Sequence, residues 1–386
     1  MKFEQVPPDR VREILQDLYS KGRALTLELA SKVAKLKQQT ADAALKAPPV
    51  SESSATLACD YGESQVIMMQ ALRTPDGITV EKFHRAVKMG EKKPADLLKQ
   101  AFDEGHFSTN KVRVSVKGQG VICRFIQFPQ MKLDDLKSAI SYEAEKYIPF
   151  KASEVVMDFY LLDENVTHGG GSVMNLLLVA VKRDDVYPMV QSFQDVGLQI
   201  EVVDIDALAS INALEYFHPE TIKTSVAILD IGAEMSTLSV VRHGKPRFIR
   251  DISFGGVDIV KRLKRKLGLS EAEAREKLAI QNDKVSPEIK SILHDVLGNL
   301  VADLKVSIDY YMDQVSQSEP IQMLYIGGGE ASLPIYTETL ERDLRIPMHT
   351  MEFMTRIKLG PDVEAAKVRA AECYLPIVLG LCLRDK

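Results

Sequence analysis

One short pattern, an aspartate followed two positions later by a glycine, occurs twice in this sequence between strand-like apolar stretches. The first copy is Asp60-Tyr61-Gly62-Glu63-Ser64 and the second is Asp230-Ile231-Gly232-Ala233-Glu234. Each copy predicts a β-hairpin, because apolar residues flank a short polar turn on both sides. One such hairpin alone is only a good turn. Two copies far apart in the chain predict a fold that contains the same unit twice.

A turn of three glycines, Gly327-Gly328-Gly329, follows the strand-like stretch "MLYI" and precedes a predicted helix that starts near Leu333. Glycine has no Cβ, so its backbone N–H can approach a phosphate oxygen, and the N–H groups at a helix start favour anions. Small hydroxyls add donors, and an aspartate can hold a hydrated Mg²⁺. The three turns, in this order, predict one nucleotide cleft.

This order of turns is similar to that of the actin-like superfamily, in which two aspartate-containing hairpins face each other across a cleft. Within that superfamily the chain resembles the type IV pilus assembly protein PilM family, which is related to the cell-division protein FtsA. The resemblance covers about residue 55 to the end. It rests on the stretches "ISYEAEKYIPF", "VVMDFYLL", "VAILDIGAEMSTLSVVRHGKPRFIRDISFGG", "KRKLGLSEAEAREKL", "LYIGGGEASLPIYTETLERDLRIPM" and "LPIVLGLCLRD".

The resemblance implies an α/β, actin-like fold. Duplicated ribonuclease H-like domains would surround a nucleotide cleft, with a small inserted subdomain of the FtsA type and an extra N-terminal helix. The predicted divisions are the N-terminal helix and linker (1–54), the first actin-like subdomain (55–120, 182–223 and 374–386), the insert (121–181), the second actin-like subdomain (224–258 and 319–373) and a helical subdomain (259–318).

The first 54 residues, which the resemblance does not cover, predict an amphipathic helix and a linker. Apolar residues from Val11 to Leu36 recur at intervals of three and four, which indicates one apolar helix face. The polar, proline-bearing stretch 47–55 is typical of a linker. Two interpretations stay open: the helix packs on its own domain, or it forms a coiled coil or a partner contact.

The resemblance also implies roles for the residues of the three turns. Asp60 and Asp230 would hold Mg²⁺ and position water, the nucleotide would be ATP, and the glycine turn would lie by the adenosine. The implied nucleotide-binding residues are Asp60, Gly62, Ser64, Asp230, Gly232, Ala233, Ser236, Thr237, Gly327, Gly328 and Gly329. No residue stands out as a catalytic base for a second substrate, which the sugar-kinase relatives need.

The turns depart from the usual PilM-like pattern at several positions. Tyr61 replaces a small aliphatic residue and Ile67 replaces a lysine, while Glu63, Glu234 and Glu330 add one acid to each turn. Two like charges about 4 Å apart repel by about 4 kcal/mol at an effective dielectric constant of 20, so a carboxylate facing a phosphate would abolish useful affinity. Two interpretations stay open: the glutamates lie on the solvent side of their turns, or the cleft is a pseudo-nucleotide site.

The predicted insert contains a helix over residues 132–148 that Pro149 would stop. From the residues alone, Tyr147 and Phe150 are interpreted as core side chains. PilM-like proteins bind the cytoplasmic N-terminal tail of the membrane protein PilN in a groove between the first subdomain and the insert. The resemblance therefore implies a partner contact at Tyr147 and Pro149, where an extended peptide would gain affinity from main-chain hydrogen bonds.

Composition excludes several classes of function. A formal net charge of −5 argues against nucleic-acid binding, which depends on clustered lysine and arginine. The four cysteines have no CxxC spacing, which favours a reducing compartment without a metal cluster. No signal-peptide core and no apolar run of about 18 residues is present. We therefore expect a cytoplasmic, membrane-free protein, and the resemblance implies that it contacts the inner membrane only through a partner.

The leading functional hypothesis is an actin-like scaffold of a type IV pilus or related secretion machine. It would bind the tail of a PilN-like protein, self-associate as a homo-oligomer or ring, and use ATP as a structural or switching ligand, with at most slow hydrolysis. The alternative is an ATP-consuming enzyme of the same superfamily, either an ATPase or a small-molecule kinase. A membrane-tethered filament former like FtsA is disfavoured, because no amphipathic helix follows the last apolar stretch.

Overall fold

The computed structural model describes residues 55–88, 92–168, 171–279, 286–315, 319–329 and 334–384. The predicted N-terminal helix, Glu330 and the predicted helix start near Leu333 lie outside these residues. The described strands are β1 (Thr56–Tyr61), β2 (Gln65–Thr74), β3 (Gly77–Val87), β4 (Lys111–Val116), β5 (Val121–Pro129), β6 (Val155–His168), β7 (Gly171–Lys182), β8 (Gln199–Ile205), β9 (Ser225–Ile231), β10 (Ser236–Arg242), β11 (Lys245–Ile252), β12 (Met323–Gly327), β13 (Met348–Thr350) and β14 (Ile357–Leu359). The described α-helices are α1 (Pro94–Gly105), α2 (Leu133–Glu143), α3 (Arg183–Asp195), α4 (Asp206–Phe217), α5 (Gly256–Leu267), α6 (Glu271–Ala279), α7 (Pro287–Gln314), α8 (Pro334–Leu344), α9 (Ala365–Ala370) and α10 (Leu375–Leu383).

Two of the three sheets repeat one topology. The six-stranded sheet has the order β14-β3-β2-β1-β4-β8, and the five-stranded sheet has the order β11-β10-β9-β12-β13. Each contains an antiparallel meander of three strands, and the first strand of each meander also pairs in parallel with a later strand, β1 with β4 and β9 with β12. The predicted duplication is therefore confirmed in the strand order. The subdomain boundaries given above stay predictions.

The first strand of each meander is apolar almost throughout, because both of its faces are covered. In β1, Leu57 and Cys59 pack with α1 and α3, while Ala58 faces the core that contains α4 and α10. In β9, Ile228 faces that same central core and Leu229 faces a core formed with α5, α7 and α8. The molecule is thus layered, with α4 and α10 between the two large sheets.

Helix α10 forms the centre of this arrangement. All nine of its residues are buried, as expected of a helix that is apolar on every side. Gly380 permits the close approach of α4, because a Cβ at this position would lie 2.5 Å from the carbonyl carbon of Ala209. The carbonyl oxygens of Leu381 and Leu383 accept hydrogen bonds from Arg113 and Arg73, each at 3.2 Å, and cations are favourable at a helix C-terminus. No helix in the described ranges is long and apolar enough to cross a membrane.

The third sheet, with the order β5-β7-β6, lies in the segment predicted as an insert. Helix α2 covers it with Leu136 and Ile140, which are one turn apart and buried. The prediction that this helix continues to Pro149 is wrong, because α2 ends at Glu143 and a short 3₁₀ turn follows at Ala144–Lys146. Pro149 disfavours helical backbone at Ile148, the residue before it. The 3₁₀ turn lets the Ile148 side chain enter the core of this segment.

The small sheet is bound to the second large sheet through Asp163 of β6. Its carboxylate accepts hydrogen bonds from Lys245 at 2.7 Å and from Arg247 at 2.6 Å, both in β11, and from Asn175 at 3.1 Å. Burial alone would raise the pKa of Asp163, but the hydrogen bonds from Arg247 and Lys245 outweigh it and hold the pKa well below its usual range. The side chains of Asp163 and Arg247 are only 21% and 15% exposed.

Replacing Asp163 with alanine is expected to lower the free energy of unfolding by about 1–2 kcal/mol, because two partly buried cations lose their shared carboxylate. Thermal unfolding at pH 7 measures this loss. As pH falls below about 4, the unfolded carboxyl becomes protonated while the native carboxylate stays ionised, so folding must release a proton. The difference in stability from the native protein should therefore shrink progressively below about pH 4. Glu164→Ala, at the exposed neighbouring position, is the matched control; equal stability of both variants would contradict the role of Asp163.

Candidate functional site

The first aspartate-glycine hairpin closes on its own backbone. The N–H of Gly62 donates to the carbonyl oxygen of Gln65 at 3.0 Å. A Cβ on Gly62 would lie 2.9 Å from that oxygen, so the turn excludes other residues. Asp60 precedes the turn in β1, where it pairs with Ile67 and is buried.

The second hairpin repeats this geometry. The N–H of Gly232 donates to the carbonyl oxygen of Met235 at 3.0 Å, and a Cβ on Gly232 would lie 2.7 Å from it. Asp230 precedes this turn in β9 and pairs with Thr237 of β10. The carbonyl oxygens of Gly232 and Ala233 accept the first N–H groups of α5, at 3.1 and 2.8 Å, so these helix donors are used within the protein.

The glycine turn lies directly against the second hairpin. Because β12 is the parallel neighbour of β9, Gly327 pairs with Asp230. Gly328 has a φ of +91°, and a Cβ on it would lie 2.6 Å from Oδ1 of Asp230. Its N–H donates to the carbonyl oxygen of Cys373 at 2.8 Å, and Gly329 packs on the ring of Tyr374. A side chain on Gly328 or Gly329 would therefore clash with these neighbours.

Two residues that sequence reasoning missed join the first hairpin to the start of α4. Lys117 follows β4, and its Nζ lies 2.8 Å from Oδ1 of Asp60 and 3.2 Å from Oδ2 of Asp206, the first residue of α4. The first contact is a hydrogen bond, whereas the second is an ion pair without hydrogen-bond geometry. Asp230 also interacts electrostatically with this group. The structure thus brings Asp60 and Asp206 together around one ammonium, while Asp230 contacts the glycine turn and acts on the ammonium electrostatically.

Two carboxyl groups, those of Asp60 and Asp206, contact this single ammonium, and their charges also act on Asp230. Burial and the neighbouring carboxylates of Asp206 and Asp60 raise the pKa of Asp230 to about 7. Burial also raises the pKa of Asp206. For Lys117, burial alone would lower the pKa, but the charges of Asp206 and Asp60 outweigh it and raise the pKa. The lysine side chain as a whole stays 46% exposed.

Two of the hydroxyls assigned to phosphate binding, those of Ser236 and Thr237, have partners inside the protein. Ser236 is buried and donates to the carbonyl oxygen of Phe254 at 2.7 Å. Thr237 donates to the carboxylate of Asp251 at 2.8 Å. In the first hairpin, the carbonyl oxygen of Ser64 accepts the N–H of Lys88 at 2.8 Å. The assignment of these residues, and of the glycines and Ala233, to a nucleotide stays a prediction.

The acidic residues of the hairpins point to solvent. Glu63 and Glu234 are exposed, and Glu330 lies outside the described residues. Tyr61, in place of a small aliphatic residue, has its ring 5.4 Å from that of Phe193 in an edge-to-face contact. This unusual residue therefore packs on α3 rather than facing the cleft.

The aspartates assigned to Mg²⁺ do not fit that ion in this arrangement. Mg²⁺ takes oxygen ligands at about 2.0–2.1 Å in octahedral geometry, whereas the group in contact with Asp60 and Asp206 is the ammonium of Lys117. In the described parts of the chain, no three His, Cys, Asp or Glu side chains lie where they could hold a metal ion. The donor set matches an ammonium rather than a divalent cation.

The residues assigned to the partner contact lie at the end of the helical part of the insert. Tyr147 is half-buried against the insert core, with its ring centroid 6.1 Å from that of Phe128, while Pro149 is exposed. Phe150 also packs on this core, and the ammonium of Lys182 lies 4.5 Å from its ring centroid. Arg124 donates to the carbonyl oxygen of Tyr147 at 3.1 Å. The turn is therefore anchored, with Pro149 on its outer surface.

Comparison with known proteins gives consistent similarities. A model of the family described as type IV pilus assembly protein PilM matches residues 65–386. Among solved structures, a PilM-PilN type IV pilus biogenesis complex is 23% identical with a TM-score of 0.74, covering 85% of this chain and 98% of that one. The ethanolamine utilization protein EutJ from Carboxydothermus hydrogenoformans is 13% identical with a TM-score of 0.51, covering 93% and 99%. The predicted actin-like fold is confirmed.

Proposed function

Because the chain belongs to the type IV pilus assembly protein PilM family, we propose that it is a scaffold of a type IV pilus or related secretion machine. The observation that carries this proposal is the family match over residues 65–386. The similarity of the fold to the PilM-PilN complex supports it. A scaffold role also agrees with a cleft in which several predicted phosphate donors are already hydrogen-bonded within the protein.

The proposed partner is the N-terminal tail of a PilN-like membrane protein. This tail would hold a cytoplasmic protein at the inner membrane, and it would be the protein's only membrane contact. An extended peptide suits the surface near Tyr147 and Pro149, because an exposed proline two positions from a half-buried aromatic residue offers it an apolar contact. Self-association as a homo-oligomer or ring is part of the same proposal.

ATP is the proposed nucleotide of the cleft, as a structural or switching ligand. The contact of Asp230 with Gly328 and the ion pair of Lys117 with Asp60 support a role for the cleft. A ligand that contacts both halves would favour the closed arrangement, since a ligand shifts a conformational equilibrium by its difference in affinity for the two states.

The proposal is tested by isothermal titration of the full chain with the N-terminal peptide of the PilN-like protein from the same genome, in parallel with ATP and Mg²⁺. We expect one peptide bound per chain. Peptide binding without nucleotide binding would support a pseudo-nucleotide cleft. No binding of the peptide under any condition would contradict the proposal, and ATP turnover faster than about 1 s⁻¹ would favour an enzyme instead.

Replacing Pro149 with alanine is expected to weaken peptide binding about fivefold or more, which corresponds to about 1 kcal/mol for an apolar contact at an interface. The variant should fold normally because Pro149 is exposed. Pro75→Ala, at an exposed proline in the turn between β2 and β3, is the matched control. Native affinity in both variants would exclude this turn from the peptide site without excluding peptide binding elsewhere.

A further inference from the structure

The ammonium of Lys117 occupies the part of the cleft where the aspartates converge. It lies within 2.8 Å of Asp60 and 3.2 Å of Asp206, so one cation neutralises carboxylates from two separate elements. Gly62 lies beside it, since a Cβ on Gly62 would be in van der Waals contact with Nζ at 3.7 Å. The ammonium of Lys117 is thus held by Asp60 and Asp206, with the turn of the first hairpin beside it.

A divalent cation and this ammonium compete for the same oxygens. Mg²⁺ needs several oxygen ligands at short distance and gives up its water reluctantly, while the ammonium already donates to Asp60. The two cations would also repel each other in a partly buried site, where charges are weakly screened. Among the described residues, no group of three His, Cys, Asp or Glu side chains is placed to hold a metal ion.

We propose that Lys117 is a built-in cation that takes the place of a divalent metal ion in this cleft. The carboxylates of Asp60 and Asp206 are neutralised by the chain itself, and the cleft keeps its form without Mg²⁺. Removal of the ammonium would leave Asp60 and Asp206 without their shared counter-charge. Two uncompensated carboxylates suit a divalent ion, because ions of this kind are commonly held by one or two carboxylates with water as the other ligands.

The same inference has a consequence for nucleotide binding, and this part rests on the proposed function. A phosphate group that enters the cleft would meet an ammonium rather than a metal ion, and lysine is a common phosphate-binding residue. Nucleotide affinity is therefore expected to be the same, within about threefold, in Mg²⁺ and in EDTA, since the charge that neutralises the phosphate would come from the chain.

The test is a titration of the full chain with Mn²⁺ alone, followed by electron paramagnetic resonance of the free ion. The native protein should take up no Mn²⁺ at the cleft up to about 1 mM, and Lys117→Met should bind one Mn²⁺ about tenfold or more tightly than the native protein does. Lys117→Arg keeps the charge and should remain metal-free. Lys111→Met, at the exposed other end of β4 beside Glu201, is the matched control.

Stoichiometric uptake of Mn²⁺ by the native protein would overturn the inference, and this result does not depend on whether Lys117→Met folds. Equal weak binding by native protein and a folded Lys117→Met variant would overturn it as well, because the aspartates would then not form a metal site in the absence of the lysine. A fluorescent ATP analogue, titrated in Mg²⁺ and in EDTA, tests the nucleotide consequence. Absence of nucleotide binding in both buffers would contradict the nucleotide part of the proposed function, while the Mn²⁺ result still decides the role of Lys117.

Discussion

Replacing Gly380 with alanine is expected to lower the free energy of unfolding by about 3 kcal/mol, because overpacking a rigid core contact is costly. The added methyl group would overlap the backbone carbonyl of Ala209 in α4. Neither backbone can move aside, since α4 and α10 are packed between the two large sheets. The gain of about 1 kcal/mol that alanine brings over glycine inside a helix is too small to offset this clash.

A second glycine in a helix provides a control of opposite sign. Gly298 lies exposed in α7, and a Cβ there would have no neighbour within 4 Å. Gly298→Ala is therefore expected to stabilise the protein by about 0.5–1 kcal/mol, the difference in helix propensity. Thermal unfolding of both variants measures the two effects. Similar stability of Gly380→Ala and Gly298→Ala would contradict the close packing of α10 on α4.

Replacing Asp230 with asparagine is expected to stabilise the protein at pH 8. Burial, with the charges of Asp206 and Asp60, raises the pKa of Asp230 to about 7, whereas an unfolded aspartate has a pKa near 4. Between these values the folded protein holds a proton that the unfolded chain has released, so stability falls as pH rises from about 4 to about 7. A shift of this size corresponds to about 4 kcal/mol, and with relaxation and partial exposure we expect about 2 kcal/mol.

Unfolding midpoints measured from pH 4 to pH 8 check this sign. Asp230→Asn should match the native protein near pH 4 and exceed it increasingly up to about pH 7. Asp76→Asn, at an exposed position in the turn between β2 and β3, controls for the general effect of removing a negative charge. A variant that is less stable than the native protein at pH 8 would mean that Asp230 is ionised and held by a favourable charge.

The duplicated hairpins could be predicted from sequence because their constraint is local. At Gly62 and Gly232, the oxygen that excludes a side chain belongs to a residue three positions further along the same turn. The glycine turn follows the same logic, although its contact with Asp230 depends on the parallel pairing of β12 with β9. Such local steric requirements appear in the sequence as the repeated aspartate-x-glycine pattern, from which the duplicated hairpins could be predicted.

Lys117 and Asp206 could not be found in this way. The ammonium reaches Asp60 only because β4 pairs in parallel with β1, with Val114 opposite Cys59, and no short pattern marks that long-range contact. One signal was present: Ile67 stands where PilM-like hairpins have a lysine, which leaves the first hairpin without a cation of its own. A lysine at the end of a neighbouring predicted strand would have been the residue to consider.

The central position of α10 also determines when this protein can complete its fold. Residues 375–383 are translated after every strand of both large sheets, whose last member ends at Leu359. Until these residues leave the ribosome, the inner surfaces of the sheets lack the helix that covers them. The final assembly step therefore follows the synthesis of both large sheets, and a chain interrupted before Leu375 would present two apolar surfaces to chaperones and proteases.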